Sequence, residues 1–327
     1  MKLFYILPFL FLLGLFGAMG AFAGAAEKWR AQWPNTDFSK SIIDFDSVIS
    51  GGPPKDGIPS IDSPRFKKAS KIDNLDEKEP VILLSHQGQT KAYPLSILMW
   101  HEIVNDRIGD KPVAVTYCPL CHSAIVFSRQ IKGEILEFGV SGKLRHSDMI
   151  MYDRQTESWW QQYTGQAIVG DMTGERLKRI ASRIIPFEEF RSAWPEGKVL
   201  IPPSMSMRRY GQNPYAGYDT SRAPFLYKGD YEGPGNPLSY VIFIDDEAWL
   251  LSDLRGEKEI RTNNLKLKWK SGMNSSLDNK DISKGRDIGY VEVFKKDADG
   301  NWRQINHEMS FAFAFKEFYP EGNIHQP

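Results

Sequence analysis

The sequence predicts an α+β protein, mostly β-strands with a few short helices, arranged as two related lobes from an internal duplication. Three observations carry this. Short apolar runs bounded by turn residues recur through the chain, as in VILLSHQ, PVAVTYC and YVIFIDD. Helical spacing is confined to brief stretches such as SILMWHEIV and PFEEFRSAW. Two pairs of segments resemble each other in the same order: KAYPLSIL with EAWLLSDL, and PFEEFRSAWPEGKV with FAFKEFYPEGNI.

Taken in order, Lys2 precedes an uncharged, mostly apolar run from Leu3 to Ala26 that ends in small residues. This predicts a signal peptide over residues 1–25, cleaved near Ala23 or Ala25. If the leader is retained, the same run is an inner-membrane anchor. Either way the remainder is expected outside the cytoplasm, periplasmic or secreted.

Residues 26–79 read as an extended arm, because GGPPKDGIPSIDSPRF is dense in turn formers. The first lobe is expected over residues 80–201. In it VILLSHQ is a buried strand, GQ a turn and TKAYPL its partner. SILMWHEIV places Ile97, Trp100 and Ile103 on one helical face. PVAVTYC is a strand, and AIVFSRQ and EILEFGVSG flank IKG as a hairpin. DMIMYDR and SWWQQYTGQAIVG continue the β pattern, and PFEEFRSAW is a helix stopped by Pro195. Residues 202–238 form a glycine- and tyrosine-rich connector expected to border a site. Residues 239–327 are the second, shorter lobe, read as a scaffold.

Lysine plus arginine and aspartate plus glutamate are both 41, so no global field points to nucleic acid. The chemistry concentrates in TYCPLCHSA, which holds both cysteines, Cys118 and Cys121, with His122 next. Outside the cytoplasm cysteines are normally paired. A disulfide this local closes too small a loop to stabilise the chain much.

Three uses compete. CPLCH matches the attachment rule for haem c, with His122 as axial ligand, but strands flank it where a helix is expected. Haem is therefore disfavoured, and His122 reads as a surface turn residue. A thiol–disulfide redox pair is open on a fold other than thioredoxin. A metal site needs more ligands than two thiols. The candidates are His101, His122, His146, Met149, Met151, Glu102 and Asp148. His101 is preferred, since it lies on the helix before the strand that carries Cys118. Two thiolates with such ligands suit copper or zinc. Asp153 and Arg154 read as loop-fixing ion pairs, with Arg154 able to bind an anion. GVSGKL around Ser141 lacks P-loop spacing and reads as a tight turn near the site.

The ordered motifs DGIPSIDSPRF, KAYPLSILMWHEIVND, VAVTYCPLCHSAIVFSR, FGVSGKL, MYDRQTESWWQQ, GQAIVGDMTGERL and RYGQNPYAGYD closely resemble a bacterial domain family of unknown function, number thirty-one seventy-nine. The likeness runs from about Asp56 to Tyr218 and weakens afterwards. It implies a secreted or envelope location and brings no activity. Its pattern implies shared roles for His101, Glu102, Asn105, Asp106, Cys118, Pro119 and Cys121, then Gly139, Ser141, Gly142, Met151, Tyr152, Asp153 and Arg154. His122 departs from that pattern. The expected function is a metal-binding module on Cys118 and Cys121 with His101 assisting, and Met151, Glu102, Ser141, Asp153 and Arg154 in support. The alternatives are a redox protein, and an envelope scaffold with a structural disulfide. The expected partner is an envelope protein or a thiol-redox protein.

Overall fold

Five sheets of four or five strands, plus a two-stranded ribbon, build the computed structural model, which describes residues 26–204 and 208–326. The arrangement is mostly β with short helices and resembles a five-bladed β-propeller. The expected leader lies outside the described residues. No helix among the described residues is long and apolar enough to cross a membrane.

One order of elements runs twice. Strands Pro80–His86 and Gln89–Pro94 form an antiparallel hairpin that leads into helix α1 (Leu95–His101). Far along the chain, Ser182–Pro186 returns to pair antiparallel with the first strand. Helix α2 (Phe187–Ala193) follows, and Lys198–Ile201 then pairs parallel with the second strand. Strands Tyr240–Ile244 and Glu247–Leu250, helix α3 (Leu251–Glu257), strand Glu308–Phe311, helix α4 (Ala312–Phe318) and strand Asn323–His325 repeat every pairing. Even the helix ends agree: Glu102 and Lys258 close α1 and α3 at φ 57° and 65°. Trp194 and Tyr319 close α2 and α4 at φ −135° and −128°. A single apolar cluster nonetheless extends from Ile61 to Ile324, so both units share one core.

The arm is tied down at several points. Val48–Ser50 adds to Phe138–Arg145, and Arg65–Lys68 pairs with Lys198–Ile201. Trp33 and Phe38 pack edge-on to Trp159, with ring centroids 5.4 Å apart in each pair. The glycines of FGVSG make room for it. Gly142 has φ +71°, and a Cβ there would clash with the carbonyl oxygen of Pro53.

Two local expectations are corrected. Helix α1 ends at His101, and Ile103 begins the strand Ile103–Ile108. Glu102 breaks the helix with a left-handed backbone, and its carbonyl accepts from the Tyr117 N–H at 2.8 Å. Around IKG only Gln130–Ile131 and Glu134–Ile135 pair. The longer flanking strands, Ser123–Ser128 and Phe138–Arg145, belong to different sheets.

Candidate metal centre at two hairpin tips

Strands Lys111–Cys118 and Ser123–Ser128 are antiparallel, and Cys118 pairs with Ser123 at the last rung. The turn between them is closed by the His122 N–H on the Pro119 carbonyl at 3.2 Å. Pro119 presets its own φ, and His122 takes φ 49°. Cys118 and Cys121 therefore flank one tight tip.

A second tip meets it. Phe138–Arg145 and Asp148–Asp153 form a hairpin whose last rung joins Arg145 to Asp148. The two residues between, His146 and Ser147, both have positive φ, at 54° and 63°. Such two-residue turns ordinarily take Asn or Gly. The Ser147 carbonyl accepts from the Cys118 thiol at 3.8 Å. Asp148 completes the group: one ligand atom from each of Cys118, Cys121 and Asp148 lies within 4.8 Å of the other two.

All three are buried. Both cysteines are free thiols, so the local disulfide is not formed. Burial pushes both thiols up, Cys121 strongly so. Burial also raises the Asp148 carboxyl to about 6, against hydrogen bonds that favour its charge. Asp148 Oδ2 accepts from Gln161 Nε2 at 2.7 Å and from the Tyr163 N–H at 2.9 Å. Its Oδ1 is buried with no nitrogen or oxygen partner, and the thiols of Cys121 and Cys118 are the remaining hydrogen-bonding groups at this carboxylate. A buried carboxylate oxygen faced by nothing stronger than thiols is costly and calls for a cation or a proton.

Further groups enclose the tips. Glu102 is buried, and burial followed by the charge of Asp148 raises its carboxyl to about 8. Tyr218 donates its hydroxyl to the Leu120 carbonyl, inside the CPLC turn, at 3.0 Å. The Ser147 hydroxyl donates to the Phe225 carbonyl at 2.6 Å. The connector thus contacts both hairpin tips. From the second unit, the Phe311 N–H donates to the Cys121 carbonyl at 2.9 Å. Four non-glycine residues with left-handed backbone, Glu102, His122, His146 and Ser147, adjoin this one locus. Residues so held cluster at working sites.

His122 is not a surface residue: it is 1% exposed. Its Nδ1 pairs with the Tyr117 hydroxyl at 3.1 Å, and its ring meets Tyr240 edge-on at 4.9 Å. Burial lowers its pKa to about 4, so it is neutral. The sequence placed it at the right turn but gave no sign of the aromatic wall that the second unit contributes.

His101 stands apart from the three-residue group. Its Nδ1 bonds the Pro59 carbonyl at 2.7 Å and its Nε2 the Tyr210 hydroxyl at 2.8 Å, so both nitrogens are engaged between helix, arm and connector. Ser141 fixes a bulge: its hydroxyl donates to the Ile150 carbonyl at 2.5 Å and accepts from the Lys143 N–H at 3.0 Å. Asp153 accepts from Thr156 and, at 2.9 Å, from Trp160 Nε1, which staples a turn. Arg154 reaches Asp62 at 3.1 Å and the Ser60 hydroxyl at 2.9 Å, locking the arm. Asn105 serves the same purpose by donating to Asp62 at 2.7 Å. Asp106 is held by Lys91 at 2.6 Å and Tyr93 at 2.8 Å. Met149 and Met151 lie in the main core with the cysteines. His146 Nδ1 faces Glu317 at 2.9 Å. Of the ligands weighed from sequence, the structure brings Asp148 to the thiols.

No curated protein and no solved structure matches the chain. A family model does, over residues 55–322, and its description is a protein of unknown function, DUF3179. The match continues well past Tyr218, so the likeness does not end with the motifs around the thiols. It takes in the arm from Lys55, the first unit, the connector and the second unit up to its last strand, Asn323–His325. The residues of both hairpin tips fall inside the match, and the chain belongs to the DUF3179 family.

Proposed function

We propose that this chain is a metal-binding protein whose ion is held by Cys118, Cys121 and Asp148. The observation that carries the reading is the convergence of three buried ligand atoms within 4.8 Å, with Asp148 Oδ1 otherwise unpartnered. Two thiolates and a carboxylate suit zinc, which accepts both donor types; copper(I) prefers an all-sulfur set. A divalent cation replaces the protons that burial holds on these groups, so binding releases protons.

The competing reading is thiol–disulfide exchange, which the adjacency of the two free thiols supports. Reactive exchange thiols are accessible and have lowered pKa, and these are buried and raised, which favours the metal. We further propose that residues 1–25 direct the protein out of the cytoplasm, to the periplasm or beyond. The matching strand order and cap angles of the two units support a duplication in which the first copy acquired the thiols.

The test is metal analysis of full-length protein, native and with Cys118→Ser, Cys121→Ser or Asp148→Asn. About one zinc per chain, lost in each variant, is expected. Unchanged stoichiometry in all three variants overturns the reading. A metal-free pair that exchanges reversibly with glutathione moves the assignment to redox.

A further inference from the structure

The repeated units differ at one informative position. In the first, Glu79 stands just before strand Pro80–His86, and its carbonyl accepts from the Phe187 N–H at 2.9 Å. In the second, Ser239 stands just before Tyr240–Ile244, and its carbonyl accepts from the Ala312 N–H at 2.8 Å. The hairpin registers, Val81 with Pro94 and Val241 with Leu250, fix the same equivalence. Glu79 is buried and its carboxylate interacts with the hydroxyl and backbone of Ser96. The counterpart of Ser96 is Ser252. Where the first unit places that carboxylate against a serine, the second has Ser239, Ser252 and a cavity of about 330 Å³.

The walls of this cavity carry the charge a carboxylate needs. Arg255, Arg286 and Asp219 line it; Arg286 is paired with Asp219 at 2.7 Å and Asp278 at 2.8 Å, which leaves Arg255 as the lining cation outside an ion pair. Asp219 is fully engaged, by Tyr240 at 2.9 Å, Ser275 at 2.5 Å and Arg286 at 2.7 Å. Arg255 is exposed; its guanidinium lies over the Trp269 ring at 5.6 Å, donates to the Asp287 carbonyl at 3.5 Å and is in no ion pair among the described residues, so it is open to an anion. Leu238, Leu251 and Ile288 supply an apolar wall. Guanidinium groups bind carboxylates through paired N–H donors, and the volume lies in the range of small-molecule sites.

We propose that this cavity binds a small organic monocarboxylate with a short apolar body, its carboxylate on Arg255 and its body on Leu238, Leu251 and Ile288. The proposed ligand contacts involve neither thiol nor Asp148.

The experiment titrates full-length protein with benzoate, benzamide and inorganic phosphate, read by calorimetry. Saturable benzoate binding, with neither benzamide nor phosphate comparable, is expected. Arg255→Gln, an exposed change, weakens benzoate by roughly tenfold or more. Ser239→Glu supplies the carboxylate in cis, as Glu79 does, and abolishes binding while circular dichroism shows a folded chain. The proposal is overturned by absence of benzoate binding, by equal affinity for benzamide, by tighter binding of phosphate, or by full benzoate affinity in Arg255→Gln.

Discussion

The sulfur of Cys121 and a carboxylate oxygen of Asp148 lie within 4.8 Å although they belong to the tips of different hairpins. That proximity separates the proposed ligands from the residues around them, and it predicts different behaviour for residues that the sequence groups together.

His101 is expected to act as a brace. His101→Gln loses bonds to Pro59 and Tyr210 at 2.7 and 2.8 Å, and should cost about 1–3 kcal/mol in denaturant unfolding. Metal stoichiometry should stay at the native value. Loss of the metal from a folded His101→Gln protein would instead make the imidazole a ligand.

The thiols should be sluggish. Both are buried and raised, so alkylation of the native, metal-free protein by iodoacetamide should run at least ~100-fold slower than in denaturant. Mass spectrometry over a time course reads this directly, and fast modification of native Cys118 or Cys121 contradicts it.

Stability of the metal-free protein should rise as pH falls from about 8 to 6.5. The folded-state pKa values of Glu102, Glu79 and Asp148 are raised to about 8, 7 and 6, above their ordinary values. The folded state therefore binds more protons than the unfolded chain in this window, and acid favours folding by about 2 kcal/mol. Below 6.5 the sign is opposed by His122, lowered to about 4, which must stay neutral to remain buried. Urea unfolding with chelator present, across this range, checks the slope; a flat profile refutes it.

Gly142→Ala should loosen the arm. The added methyl meets the Pro53 carbonyl from a left-handed backbone, and a loss of about 2 kcal/mol or more is expected. Limited proteolysis should then cut within residues 51–60 faster than in the native chain.

Much of the β framework was legible because alternation and turn chemistry are local. VILLSHQ, PVAVTYC and DMIMYDR are strands where the pattern placed them. The pairing of those strands was only partly legible: Phe138–Arg145 pairs with its immediate successor Asp148–Asp153 and with the distant Val48–Ser50, and not with Ser123–Ser128. The end of α1 was missed for a related reason: Glu102 adopts φ 57° without the glycine that usually marks such a stop. At the site, chain proximity favoured His101, although the strand Ile103–Ile108 intervenes before the strand that carries Cys118. Asp148 was nameable as a carboxylate, but only the meeting of two tips selects it. The burial of His122 was hidden altogether, since Tyr240 and Phe311 come from the other unit.

The hydrogen bond from Phe311 to the Cys121 carbonyl has a practical consequence. A fragment that stops before the second unit would leave that carbonyl and the His122 ring without their cover. The CPLC turn is therefore not a transplantable cassette, and the protein cannot be trimmed to its thiol-bearing half without altering the turn it was trimmed to keep. A substitution at Tyr240 or Phe311 is therefore expected to be felt at the turn that carries the cysteines.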